Sequence, residues 1–173
     1  GWWNLYKLGD DNSATNLCPL AAEFGGPPWG FGGSHYQFLD DDVIVCNYGV
    51  KNQSHVALLT AGELADIELP YTEISGLRAD GSLLFFVGAS PARFSTIVSY
   101  DLSTQALTEI KCASDVTLDK RYISVPTAIE FVTEGDETAH AFYYPPSNGD
   151  FEAPLGELPP LLVILHGGPT GAS

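Results

Sequence analysis

Short apolar runs alternate with polar, Gly- and Asp-rich breaks along most of the chain. "HYQFL", "DVIVCNY", "HVALLT", "ADIEL", "SLLFFV", "STIVSYDL" and "ALTEI" are each a few residues long and rich in β-branched or aromatic side chains. Such side chains fit a pleated, half-buried surface, and the Gly, Asp, Asn, Ser and Pro between the runs supply turns. No stretch of 12 or more residues carries a helical period. The pattern predicts a succession of short antiparallel strands.

The spacing of these runs repeats. "FLDDDVIVCNYG" from Phe38, followed by "SHVALLT" and "ELADIEL", overlays "LRADGSLLFFVG" from Leu77, followed by "FSTIVSYDL" and "QALTEI". The shift of about 40 residues is that of a four-stranded propeller blade. Each copy predicts an inner strand ending in an acidic turn, an apolar second strand, a third strand and a polar outer strand. "WWNLYKL" and "TNLCPL" predict the last two strands of an earlier blade. A blade buries its faces only against its neighbours, so two and a half blades imply further blades upstream.

The repeat ends near Cys112. Asp115 to Tyr122 is a polar connector, and "PTAIEFVT" with "AHAFYYP" predicts a hairpin turning at Glu134 to Glu137. A loop rich in Pro, Gly and acid, Pro145 to Pro160, leads into "PLLVILHGGP". An apolar strand without alternation is one covered on both faces, as in a parallel sheet flanked by helices. The expected fold is therefore mainly β: C-terminal blades of a β-propeller over 1–124, then the first strands of a truncated sheet of different architecture over 125–173.

Composition narrows the partners. The chain has 173 residues and 45% hydrophobic content, which suits a globular protein rather than a disordered one. Its 22 acidic and 7 basic residues give a formal net charge of -15. Phosphate backbones need clustered Lys and Arg, so nucleic acid is not an expected partner. The dispersed acid, including Asp40 to Asp42, is expected to be a solvated face. Apolar runs of about five residues fall far short of the roughly 20 that a membrane-spanning helix needs, so no membrane partner is expected. Cys18, Cys46 and Cys112 match no metal pattern and are expected as buried free thiols. No metal or cofactor is expected. A cytoplasmic location is the expectation from the free thiols, with no signal peptide visible in a chain whose native N-terminus is expected to be missing. The initial Gly and the absence of Met mark the chain as an expected piece of a longer protein.

The strand that runs into His166-Gly167-Gly168-Pro169 is where chemistry is expected. Acyl transfer builds negative charge on a carbonyl oxygen, and fixed backbone N–H groups stabilise it. Glycine lets the backbone approach closely with φ > 0. In α/β-hydrolases the loop after the third strand supplies such a donor, and Leu161 to Leu165 falls third after the hairpin. The alternative is a plain glycine turn after a buried strand.

Two stretches, "FEAPLGELPPLLVILHGGPTGAS" and "EFGGPPWGFGGSHYQFL", resemble the prolyl oligopeptidase family of serine peptidases, nearest its dipeptidyl-aminopeptidase and acylaminoacyl-peptidase branch. The resemblance implies a propeller packed over a hydrolase domain, with the active site between them and short peptides cleaved by a Ser-Asp-His triad. It also implies Gly168 as the oxyanion donor, with His166 fixing the loop. No Gly-x-Ser-x-Gly elbow occurs. The nearest pattern, "GASPA" at Gly88 to Ala92, ends in Ala and lies between propeller strands. The triad is thus expected beyond the C-terminus, which leaves this chain inactive alone and prone to self-association through exposed strand edges.

His35, His55 and His140 are expected to be structural, and Trp29 to pack in the core, with tunnel lining as the alternative. Glu23 and Asp40 to Asp42 are candidates for holding a peptide's amino group. Competing functions are a non-catalytic propeller binding module and a lipase or carboxylesterase. The strand leading into HGGP argues against the former, and the blade repeats against the latter.

Overall fold

Two-residue turns set the register of the first sheet. The computed structural model describes residues 1–27, 29–165 and Gly167, which fall into two units, Gly1–Asp115 and Val116–Ser173. In the first unit, β1 (Tyr6–Leu8) and β2 (Ala14–Asn16) form an antiparallel pair. Strands β3 (Tyr36–Asp40), β4 (Val43–Val50), β5 (Gln53–Thr60) and β6 (Glu63–Ile67) then follow as a four-stranded meander. Val50 pairs with Gln53 across Lys51-Asn52, and both turn residues have positive φ (50° and 60°). That conformation matches the twist of the flanking strands and locks the hairpin. A second meander comprises β7 (Glu73–Asp80), β8 (Leu83–Ser90), β9 (Arg93–Asp101) and β10 (Ala106–Cys112). Both four-stranded blades, and the two-stranded remnant before them, lie where the 40-residue repeat predicts them.

Alternation along each strand divides the side chains between two cores. Cys46, Tyr48, Ala57 and Leu59 of the first blade bury against Leu5, Cys18, Ala22 and Phe24. Val45 and Val56, on the opposite face, bury with Tyr71, Ile74, Leu77, Leu84, Phe86, Val98 and Tyr100. The second core is thus the seam between the blades, and β7 packs beside β3, β4 and β5 along it. Of the three thiols expected to be buried, Cys18 and Cys46 are; Cys112, at the end of the outer strand β10, is only partly covered.

In the second unit, β11 (Thr127–Val132) and β12 (Thr138–Tyr143) pair antiparallel from Thr127↔Tyr143 to Val132↔Thr138, which is the expected hairpin. Its base is clasped. Asp119 accepts two side-chain bonds from Arg121, at 3.0 and 2.7 Å, and the Ser147 hydroxyl donates to the Arg121 carbonyl at 2.9 Å. Tyr122 donates to Asp150, and Ser124 to the Pro145 carbonyl. The Pro-rich loop is thereby tied back to the connector on the far side of the hairpin.

One expectation fails in this chain. Leu161 to Leu165 belong to no sheet, and their side chains are 69% to 86% exposed. An extended segment becomes a strand only when a neighbour takes its backbone donors and acceptors. Among the described residues, nothing pairs with this one.

Candidate functional site

Two places merit the description: the turn after Leu165 and the segment that enters β3. Of the predicted loop residues, His166, Gly168 and Pro169 lie outside the described residues. Gly167 is an exposed bend with open space where a Cβ would stand. "GASPA" is the end of β8 and its turn into β9, a strand-turn-strand path rather than the strand-turn-helix of a nucleophile elbow.

The entry to β3 is built more fully. Glu23 and Gly49 exchange backbone hydrogen bonds of 3.0 and 2.8 Å, and Phe24 donates to the Trp3 carbonyl at 2.6 Å. These fix the start of a glycine-rich loop. Its end is held by the Asn47 N–H, which donates to the His35 carbonyl at 2.8 Å. Its middle is held from the other blade, where Arg78 Nη2 donates to the Gly32 carbonyl at 2.9 Å. The Arg78 Nη1 donates to the Leu77 carbonyl at 2.8 Å, which braces the guanidinium.

Arg78 reaches the loop because β7 is bulged. Its register with β8 shifts between Ser75 and Arg78, and Gly76 within the shift has φ +65°, a conformation that favours glycine. The bulge keeps Leu77 fully buried in the seam while Arg78 projects outward. Asn47 completes the arrangement: its Nδ2 donates to the Ile74 carbonyl at 3.3 Å, and its buried Oδ1 has no partner among the described residues.

Between these anchors the loop displays its aromatics. Trp29 is 84% exposed and Phe31 is fully exposed, so the expected core packing of Trp29 is corrected. Behind the loop an open cleft of about 510 Å³ is lined by Trp3, Leu5, Phe24, Tyr36 and Phe38, with Ser34 and Gln37 as polar members. A shallower recess of about 430 Å³ adjoins Phe38, Leu39, Asp40 and Asp41.

Four of the remaining candidates have structural partners. Glu23 accepts the Trp3 N–H at 2.8 Å, and Asp40 accepts the Asp41 N–H at 2.8 Å. The His55 ring stacks on Tyr48 at 5.2 Å between centroids, and His140 lies 3.6 Å from Glu130 on the exposed hairpin. His35 is among the residues that line the cleft. Among the described residues no cluster of His, Cys, Asp or Glu is arranged to hold a metal ion. Burial first, then the neighbouring Cys18 and Asp66, push the Cys46 thiol up to about 12, so it is not a thiolate nucleophile at neutral pH. Sequence reasoning passed over Arg78 and Asn47. Glycine inside the strand pattern "EISGLRAD" was the available signal for the bulge.

No family model matches the chain, and no curated protein sequence does. Solved structures do. A puromycin-hydrolysing peptidase from Mycobacterium tuberculosis superposes with a TM-score of 0.86 at 30% identity. A puromycin hydrolase superposes with a TM-score of 0.81 at 32% identity. In both cases the match covers 92% of this chain and 25% of the other, so the chain spans a quarter of their length. Prolyl oligopeptidase B from Galerina marginata shares the fold with a TM-score of 0.53 at 15% identity, over 79% of this chain and 20% of its own.

Proposed function

As the chain belongs with the prolyl oligopeptidase family of peptidases, we propose that it is the propeller-to-hydrolase junction of a serine peptidase acting on short peptides. The observation that carries this reading is the order of parts: two blades, a clasped hairpin, and an apolar segment running into His-Gly-Gly-Pro. The blades restrict access and present binding groups, while Gly167 and Gly168 offer N–H groups to a developing oxyanion. The domain division is proposed at Ser124–Val125, where the connector enters the hairpin. Puromycin is hydrolysed by the similar proteins, and an aminoacyl or peptidyl amide is the substrate class proposed here.

No residue of this chain serves as the nucleophile. The serine, aspartate and histidine of the triad are assigned to sequence outside Gly1–Ser173, so the chain alone is expected to be inactive. Incubation with aminoacyl nitroanilides is expected to give no turnover above buffer, and a fluorophosphonate probe to label no serine. In the full-length enzyme, Gly168→Pro removes one N–H and fixes φ near -65°. Loss of an oxyanion donor costs on the order of 100- to 1,000-fold in turnover, expressed in kcat more than KM. Labelling of the isolated chain, or a folded Gly168→Pro enzyme with normal kcat, overturns the assignment.

A further inference from the structure

We infer that Arg78 is a specificity-determining positioning residue: by holding the Gly32 carbonyl it sets where Phe31 and Trp29 stand, and through them which peptide side chains the enzyme prefers. The inference rests on the peptidase reading above.

The placement comes from the blade geometry. Strands β3 and β7 are the first strands of consecutive blades and pack beside each other. In a radial array of blades, first strands lie nearest the axis and border its channel. The Gly32 carbonyl is within hydrogen-bond reach of a side chain on β7, so the loop that enters β3 is at that border. Phe31 is the covalent neighbour of Gly32, and fixing the carbonyl of one fixes the approach of the other. Two large exposed aromatics in one short loop are costly in water unless something apolar meets them.

The chemistry of the tether is selective. Among the described residues Arg78 has no carboxylate within ion-pair distance, although the chain carries 22 acidic residues. Both of its protein hydrogen bonds go instead to backbone carbonyls. A guanidinium presents its donors in a rigid fork, so the bond to Leu77 orients the one to Gly32. The contact joins positions 46 residues apart, and it is the anchor of the loop's middle that comes from the next blade. A glycine-rich segment left without it keeps both ends but gains conformers at its tip. The partner that fits the tip is an apolar or aromatic side chain of the substrate peptide.

The test uses the full-length enzyme with Arg78→Met and Arg78→Lys. Substrates are dipeptidyl nitroanilides that differ only in Phe or Ala at one position, Phe-Ala and Ala-Phe against Ala-Ala. Arg78→Met is expected to lower the Phe-over-Ala ratio of kcat/KM about tenfold at one of the two positions. The loss is expected in KM for the Phe-containing substrate more than in its kcat. Arg78→Lys still donates one hydrogen bond to the Gly32 carbonyl and is expected to recover most of the ratio. A merely structural role lowers all three substrates together and leaves the ratio alone, which overturns the inference. Wild-type turnover with an unchanged ratio in Arg78→Met overturns the inference alone; no turnover by the wild-type enzyme of either these substrates or aminoacyl nitroanilides overturns the peptidase reading and the inference with it.

Discussion

The blade of β3–β6 is covered on both faces, whereas that of β7–β10 is covered on one. Matched by strand register, the pair Asn47↔Val56 of the first blade corresponds to the pair Val87↔Ile97 of the second, 40 and 41 residues further on. Val56 is 1% exposed because β7 packs over it, while Val87 and Ile97 are 38% and 47% exposed. The topology of the two blades is the same, so the difference lies in what stands beside them. The comparison teaches that blade sequence encodes a seat for a neighbour on each face, and that the seat is written whether or not it is filled in this chain.

The largest effect expected is at the filled seam. Phe86→Ala, at a side chain almost wholly buried there, is expected to cost about 3 to 5 kcal/mol by urea denaturation. A loss below about 1 kcal/mol would mean that the seam is not the stability centre of the first unit. Gly88→Ala comes next. A Cβ at Gly88 would stand 2.6 Å from the Tyr71 ring, so the ring must move, at about 1 to 3 kcal/mol. Unchanged unfolding would show that Tyr71 does not occupy that space.

The comparison itself is sharpened by an equivalent pair of variants. Val56→Ala is expected to cost about 2 kcal/mol, and Ile97→Ala no more than about 0.5 kcal/mol in this chain. In the full-length protein Ile97→Ala is expected to become as costly as Val56→Ala if a further blade sits on that face. Equal costs in the isolated chain would break the comparison, and light scattering would then show whether self-association covers the face.

The smallest effect is alkaline. Burial, then neighbouring groups, raise both Cys46 and Tyr48 on the first blade, with Asp66 accepting the Tyr48 hydroxyl at 2.7 Å. In the unfolded chain a thiol ionises near 9.0, while folded Cys46 keeps its proton to about 12. Above pH 9 the unfolded state therefore binds fewer protons, and stability falls as pH rises towards 12. Phe86, the counterpart of Cys46 on the second blade, does not titrate. Cys46→Ala is expected to flatten part of the loss in urea midpoint between pH 8 and pH 10.5; an unchanged slope would assign the loss elsewhere.

The blade strands were legible because their side chains alternate within eight residues and their turns use residues suited to them. Position in space was legible only where the repeat supplied it. The tether from Arg78 to Gly32 was not, because no local pattern relates two positions 46 apart. Leu161 to Leu165 shows the opposite limit: an apolar run was legible as a strand, but strand formation is a property of a pair. Of the loop expected to hold the oxyanion, Gly167 alone falls among the described residues.

The space at Gly88 also makes the blades non-interchangeable. By the 40-residue shift its counterpart is Tyr48, whose ring stacks with Phe24 and with His55. A shuffled gene that copied β3–β6 into the place of β7–β10 would bring the Tyr48 ring to the position where Tyr71 rests on bare backbone. Two modules of the same topology would then meet as two keys without a lock. Recombination among such repeats has to preserve their order as well as their number.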